Sequence, residues 1–86
     1  MQISLELTLT PLQDNFEIHI INFIKKLRTS SFEVLENPLS TQIFGPYDEV
    51  MAFVTEEIKV AFGEMEHVLV YMKMVKSNRS SYEPHF

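Results

Sequence analysis

The sequence predicts an α+β domain, with four antiparallel strands forming one sheet and two helices covering one face of it. Three observations predict this. The first dozen residues alternate apolar and polar side chains. Two later stretches carry apolar residues at helical spacing. Gly and Pro punctuate the joins between them. The order is strand, helix, strand, then strand, helix, strand, which is the split βαβ arrangement of a ferredoxin-like plait. Its expected spatial order is last, first, third, second, so the strands at 2–10 and 40–44 are central.

Each element has its own justification. Ile3, Leu5, Leu7 and Leu9 share one parity, and Ser4, Glu6, Thr8 and Thr10 share the other. Successive strand residues face opposite ways, so this is a half-buried strand, ended by Pro11. Asp14 with Glu17 three residues on resembles a capping box that opens a helix over 14–29. Phe16, Ile20, Phe23, Ile24 and Leu27 form its apolar stripe, widened by Ile21. Lys25, Lys26 and Arg28 suit its C-terminal end. A short strand follows at 32–36, then an Asn37-Pro38 turn, then a strand at 40–44. Gly45-Pro46 stops that strand and starts a second helix, with Asp48 and Glu49 in its first turn. Val50, Phe53, Val54, Ile58, Ala61 and Phe62 make that helix amphipathic, and Gly63 is its expected stop. Residues 67–76 are the last strand, apolar on both parities. The domain thus spans 1–76, and the polar residues 77–86 read as a flexible tail.

Composition narrows the function. Eighty-six residues make one small domain, which buries only about 60–65% of the surface its unfolded chain exposes. Twelve acidic residues against seven basic ones give a net charge of −5, which disfavours nucleic acid as a partner. The chain has no cysteine, so thiolate metal sites, redox motifs and disulfides are excluded. His19, His67 and His85 lie far apart with no metal-ligand spacing, and no metal or cofactor is expected. No basic group precedes an apolar stretch at the start, and the longest apolar run is Val68–Met72. The expectation is therefore a cytoplasmic protein with no membrane partner. No Gly-rich phosphate loop and no local Ser-His-acid signal argues for catalysis. Acylphosphatases share this plait and length, but 10–14 here offer neither the Gly nor the Arg of an anion cradle.

The face of the sheet away from the helices carries the functional signal. Ser4, Glu6 and Thr8 point there from the first strand. With Ile43 inward, Ser40, Gln42 and Phe44 point there too, and they lie beside an apolar last strand. A polar strip of this kind is solvated surface, a subunit interface or a small-ligand pocket. Buried polar groups need partners, which a polar ligand or a second subunit can supply.

Two segments carry a resemblance to a known family. Ser4-Leu5-Glu6-Leu7, closing on Pro11-Leu12, resembles the first strand of the thiamine-binding, YkoF-like family. Ser40-Thr41-Gln42-Ile43-Phe44-Gly45-Pro46-Tyr47-Asp48-Glu49-Val50-Met51 resembles that family's most characteristic segment: Ser-Thr, an aliphatic, a Gly, then an acidic pair opening the second helix. The likeness spans about residues 2–76. It implies a non-enzymatic, homo-oligomeric protein, a dimer or tetramer joined through sheet faces or edges. It also implies binding of thiamine or its hydroxymethylpyrimidine part. The candidate ligand residues are Ser4, Glu6, Ser40, Thr41, Gln42, Gly45, Asp48 and Glu49. Glu6 or Asp48 would accept from the aminopyrimidine's amino group. Gln42, Ser4 or Thr41 would answer the ring nitrogens, and Phe44 or Tyr47 would stack. An acidic protein would favour the cationic thiazolium. The rival reading is an oligomerisation module with no metabolite, or with a different small ligand.

Overall fold

A computed structural model describes residues 1–85. β1 spans Gln2–Pro11, α1 Phe16–Arg28, β2 Glu33–Glu36, β3 Thr41–Pro46, α2 Tyr47–Glu64 and β4 Val68–Lys76. The strands form one antiparallel sheet in the order β2-β3-β1-β4, the order expected of the plait, with β1 and β3 central. The chain is an α+β ferredoxin-like plait.

The alternation in β1 decides which face is covered. Ile3, Leu5, Leu7 and Leu9 are buried beneath the helices. Leu5 lies opposite Ile43 on β3, so Ile43 joins them. α1 packs on β1 and adds Phe23 and Leu27, while α2 packs on β3 and adds Val50, Val54 and Ala61. Each fully buried aliphatic of this set contributes roughly 1.5–3 kcal/mol relative to exposure. The helices do not extend in the same way over β4, which keeps Met72 and Met74 exposed on the helix side and Leu69, Tyr71 and Val75 on the other. The radius of gyration of 13.3 Å accordingly exceeds the value of about 12 Å for a chain this long.

Several local expectations are corrected. The box from Asp14 to Glu17 does not form. α1 begins at Phe16, and its cap is Asn15 in the left-handed region (φ 60°), without a side-chain capping bond. Asn tolerates that backbone better than most residues, so the turn needs an Asx residue one position later than the pattern suggests. Phe16 and Ile21 are exposed rather than buried. A helical Cβ tilts toward the N-terminus, so the ring of the first helical residue leans off the end of the element. β3 extends through Pro46, which caps α2 instead of lying in its first turn. α2 continues through Gly63 to Glu64 and stops at the extended, buried Met65.

Gly45 serves neither a turn nor a ligand-facing approach. It is a buried β3 residue without positive φ. A Cβ built there would lie 2.9 Å from Phe32 Cδ1 and 3.0 Å from Val50 Cγ2, so the missing side chain lets Phe32 and α2 close onto the sheet.

Residues 77–82 fold back on β1. Ser77 N–H donates to the Gln2 carbonyl at 2.8 Å, and Ser4 Oγ donates to the Ser77 carbonyl at 2.8 Å. Arg79 N–H donates to Ser4 Oγ at 2.8 Å, and Tyr82 N–H donates to the Arg79 carbonyl at 3.1 Å. Ser77 adopts a positive φ of 102°, unusual for a residue with a side chain, and this clasp holds it there.

Candidate functional site

Register alone assembles the site on the open face of the sheet. Glu6 stands directly opposite Gln42 on one side and Lys73 on the other, and Ser4 stands opposite Phe44 and Val75. With Arg79 from the folded-back segment, these side chains line a space of about 160 Å³. That is below the roughly 300–1,000 Å³ of pockets for drug-sized ligands and suits a single substituted ring. Phe44, almost fully buried, and Val75 supply its apolar wall.

The polar groups divide into committed and available ones. Ser4 is committed: its hydroxyl donates to Ser77 and accepts from Arg79. Glu6 accepts from Ser40 Oγ at 3.0 Å through Oε2, which leaves Oε1 to accept from a ligand. Among the described residues the Gln42 amide has no hydrogen-bond partner. The Lys73 and Arg79 side chains have no carboxylate partner either, since the ion pair present is Arg28 with Glu36, at 2.6 Å. The space therefore offers a carboxylate acceptor, a two-way amide and two cations around an apolar wall.

The charge of this site runs opposite to that of the whole chain. Residues 67–82 hold Lys73, Lys76 and Arg79 and no carboxylate, a basic strip on an acidic protein. Locally two cations face the single carboxylate of Glu6. The attraction expected for a thiazolium from the net charge therefore does not apply in this space.

The candidate residues from sequence fall into separate places. Ser4, Glu6 and Gln42 meet in the pocket, and Ser40 reaches it through Glu6. Thr41 lies opposite Leu7, which puts it on the helix-facing side, where it is buried. With Ser40 it lines a different space of about 180 Å³, beside Leu7, Leu9 and Ile20. Gly45 packs against Phe32 and Val50. Asp48 and Glu49 are exposed in the first turn of α2, where they suit the helix dipole, and neither lines the pocket. Sequence reasoning missed Lys73 and Arg79. Lys73 was findable, as the one charge on the outer parity of the last strand. Arg79 was not, because a hydroxyl on β1 places it. A larger groove of about 380 Å³ runs between the helices past His19, Lys26 and Glu57 and contains none of the candidates. Among the described residues no cluster of three His, Asp or Glu side chains forms a metal cage, and no helix is long and apolar enough to cross a membrane.

Fold and site together define a small plait domain with a ring-sized pocket on its open sheet face. No protein-family model matches the sequence, and no curated protein matches it. Solved structures do match. Protein SP2199 from Streptococcus pneumoniae is 26% identical, with 94% of this chain and 92% of that one covered and a TM-score of 0.84. A candidate thiamine biosynthesis/salvage protein from Thermotoga maritima is 14% identical over 90% and 85% of the two chains, with a TM-score of 0.81. A domain of unknown function, DUF77, from Bacillus cereus is 13% identical over 96% and 83%, with a TM-score of 0.75. The last two share the fold with this chain.

Proposed function

We propose that this protein binds, without turning it over, the aminopyrimidine ring of thiamine or of its hydroxymethylpyrimidine precursor, in the pocket between Ser4, Glu6, Gln42 and Lys73. The observation that carries the reading is the set of available groups around a ring-sized space. Glu6 Oε1 accepts from the exocyclic amino group, Gln42 or Lys73 donates to ring nitrogens or a hydroxyl, and Phe44 with Val75 covers the apolar edge. The one hydroxyl that lines the space, Ser4, is occupied in both directions, so no free hydroxyl faces the ligand. The name of the Thermotoga maritima neighbour adds support for a thiamine-related ligand. The two cations favour the neutral pyrimidine over intact thiamine.

The test is a pair of substitutions. Glu6→Gln and Lys73→Met each leave the fold intact and weaken hydroxymethylpyrimidine binding about tenfold, the cost of roughly one good hydrogen bond to a charged group. Unchanged affinity in both, measured by titration calorimetry, refutes this placement.

A further inference from the structure

We infer, resting on the pyrimidine reading above, that the ligand this pocket is built for is the phosphate monoester of the hydroxymethylpyrimidine, its ring against Phe44 and its phosphate held at the rim by Lys73 and Arg79.

Both cations are placed but unpaired. Lys73 stands directly opposite Glu6 in the β1–β4 register, where opposite charges on neighbouring strands ordinarily meet. Among the described residues it makes no ion pair. Glu6 is engaged elsewhere, its Oε2 accepting from Ser40 Oγ at 3.0 Å. Arg79 reaches the same space through its backbone, whose N–H donates to Ser4 Oγ at 2.8 Å. Its guanidinium takes no part in that clasp and has no carboxylate partner among the described residues. Two cations against one carboxylate, on a chain of net charge −5, make a local positive field that attracts an anion. Lys73 and Arg79 are both exposed, so an anion beside them keeps part of its hydration and avoids the cost of burying charge. The arginine fork matches two phosphate oxygens, and the lysine adds a point charge.

The order of groups across the sheet selects the anion. Gln42, Glu6 and Lys73 form one row on β3, β1 and β4. In the pyrimidine the amino and hydroxymethyl groups sit on adjacent ring carbons. With the amino group at Glu6, a phosphate on the hydroxymethyl oxygen lies about one strand spacing away, roughly 5 Å, which is the step from β1 to β4. The ring occupies the space of about 160 Å³, and the phosphate stands outside it at the rim. In thiamine the same ring carbon leads to the cationic thiazolium, which would meet Lys73. Inorganic phosphate would satisfy the cations but leave Glu6 Oε1, Gln42 and the Phe44 wall unused.

The experiment is calorimetric titration with hydroxymethylpyrimidine, its phosphate monoester and inorganic phosphate, at low and moderate salt. It uses the unsubstituted protein, Arg79→Gln and Glu6→Gln. Arg79→Gln keeps the backbone N–H and therefore the clasp. The expected result is an ester that binds about tenfold more tightly than the free alcohol, an advantage that shrinks as salt is added. Arg79→Gln lowers the ratio of the two affinities. Glu6→Gln raises it, because it removes a negative charge beside the phosphate and weakens the alcohol. An ester no tighter than the alcohol overturns the inference while the pyrimidine reading stands. A ratio that Arg79→Gln leaves unchanged, or that Glu6→Gln lowers, overturns it as well. Failure of the pyrimidine reading shows differently: inorganic phosphate then binds as tightly as the ester, or nothing binds, and both readings fall.

Discussion

Replacing Gly45 by Ala tests the packing that closes α2 onto the sheet. The new Cβ would meet Phe32 Cδ1 at 2.9 Å and Val50 Cγ2 at 3.0 Å, where ordinary contact begins at 3.4 Å. One neighbour must therefore retreat by 3.4 − 2.9 = 0.5 Å and the other by 3.4 − 3.0 = 0.4 Å. Val50 is fully buried at the start of α2, and the Phe32 ring leans on Phe53 with centroids 5.9 Å apart, so neither moves alone. Overpacking of this degree costs about 1–3 kcal/mol. The reduced entropy of the unfolded chain returns about 0.4–1 kcal/mol. The expected net loss is about 1–2 kcal/mol, a fall in Tm of roughly 5–15 °C for a domain of this size. Urea denaturation followed by circular dichroism reads it as a lower midpoint at unchanged slope. Adding Phe32→Leu to the Gly45→Ala variant should relieve part of the loss, so the double variant is less destabilised than the sum of the two singles. Pyrimidine affinity should not change, because Gly45 lies on the opposite face from the pocket. An unaltered midpoint, or additivity with Phe32→Leu, would refute the packing argument.

Two further outcomes follow from the hydrogen bonds. Ser4→Ala removes the acceptor for Arg79 N–H and the donor to the Ser77 carbonyl, so it costs about 1 kcal/mol. Hydrogen exchange at 77–82 should accelerate while the β1–β3 ladder stays protected; uniform loss of protection would show that Ser4 supports the sheet and not the clasp. The Arg28 guanidinium, through its hydrogen bonds and then its charge, holds the Glu36 carboxyl below its ordinary range. Hydrogen bonding to Glu36 in turn raises Arg28. The contribution of Glu36 is therefore present above the unfolded glutamate value of roughly 4 and lost as pH falls through the lower folded value, while that of Arg28 persists to strongly basic pH. Glu36→Gln should flatten the acid limb of the urea midpoint plotted against pH. An identical limb in both proteins would mean that this exposed pair adds nothing.

Most of the fold is legible because period two and period 3.6 are global signals. Alternation in β1 named Ile3, Leu5, Leu7 and Leu9 as one face, and the structure buries all four. Termini were less legible, because they depend on single backbone conformations. Asp14 and Asn15 both suit a helix cap, and only the left-handed backbone at Asn15 decides between them. The site was legible to the extent that it depends on parity. Ser4, Glu6 and Gln42 share the outer face and meet; Thr41 and Gly45 share the other and cannot join them. Asp48 and Glu49 stand beside those residues in sequence, but the helix start carries them away from the pocket. Arg79 depends on a hydrogen bond across 75 residues of chain, which no local pattern encodes.

The most direct measurement of the central claim is calorimetric titration with hydroxymethylpyrimidine and, separately, with thiamine, at low and moderate salt. The expected result is saturation at one pyrimidine per chain, weaker binding of thiamine at low salt, and a narrowing of that difference as salt screens Lys73 and Arg79. Thiamine binding more tightly than the pyrimidine at low salt would contradict the charge reading of the pocket. No saturable heat with either ligand would contradict the claim itself.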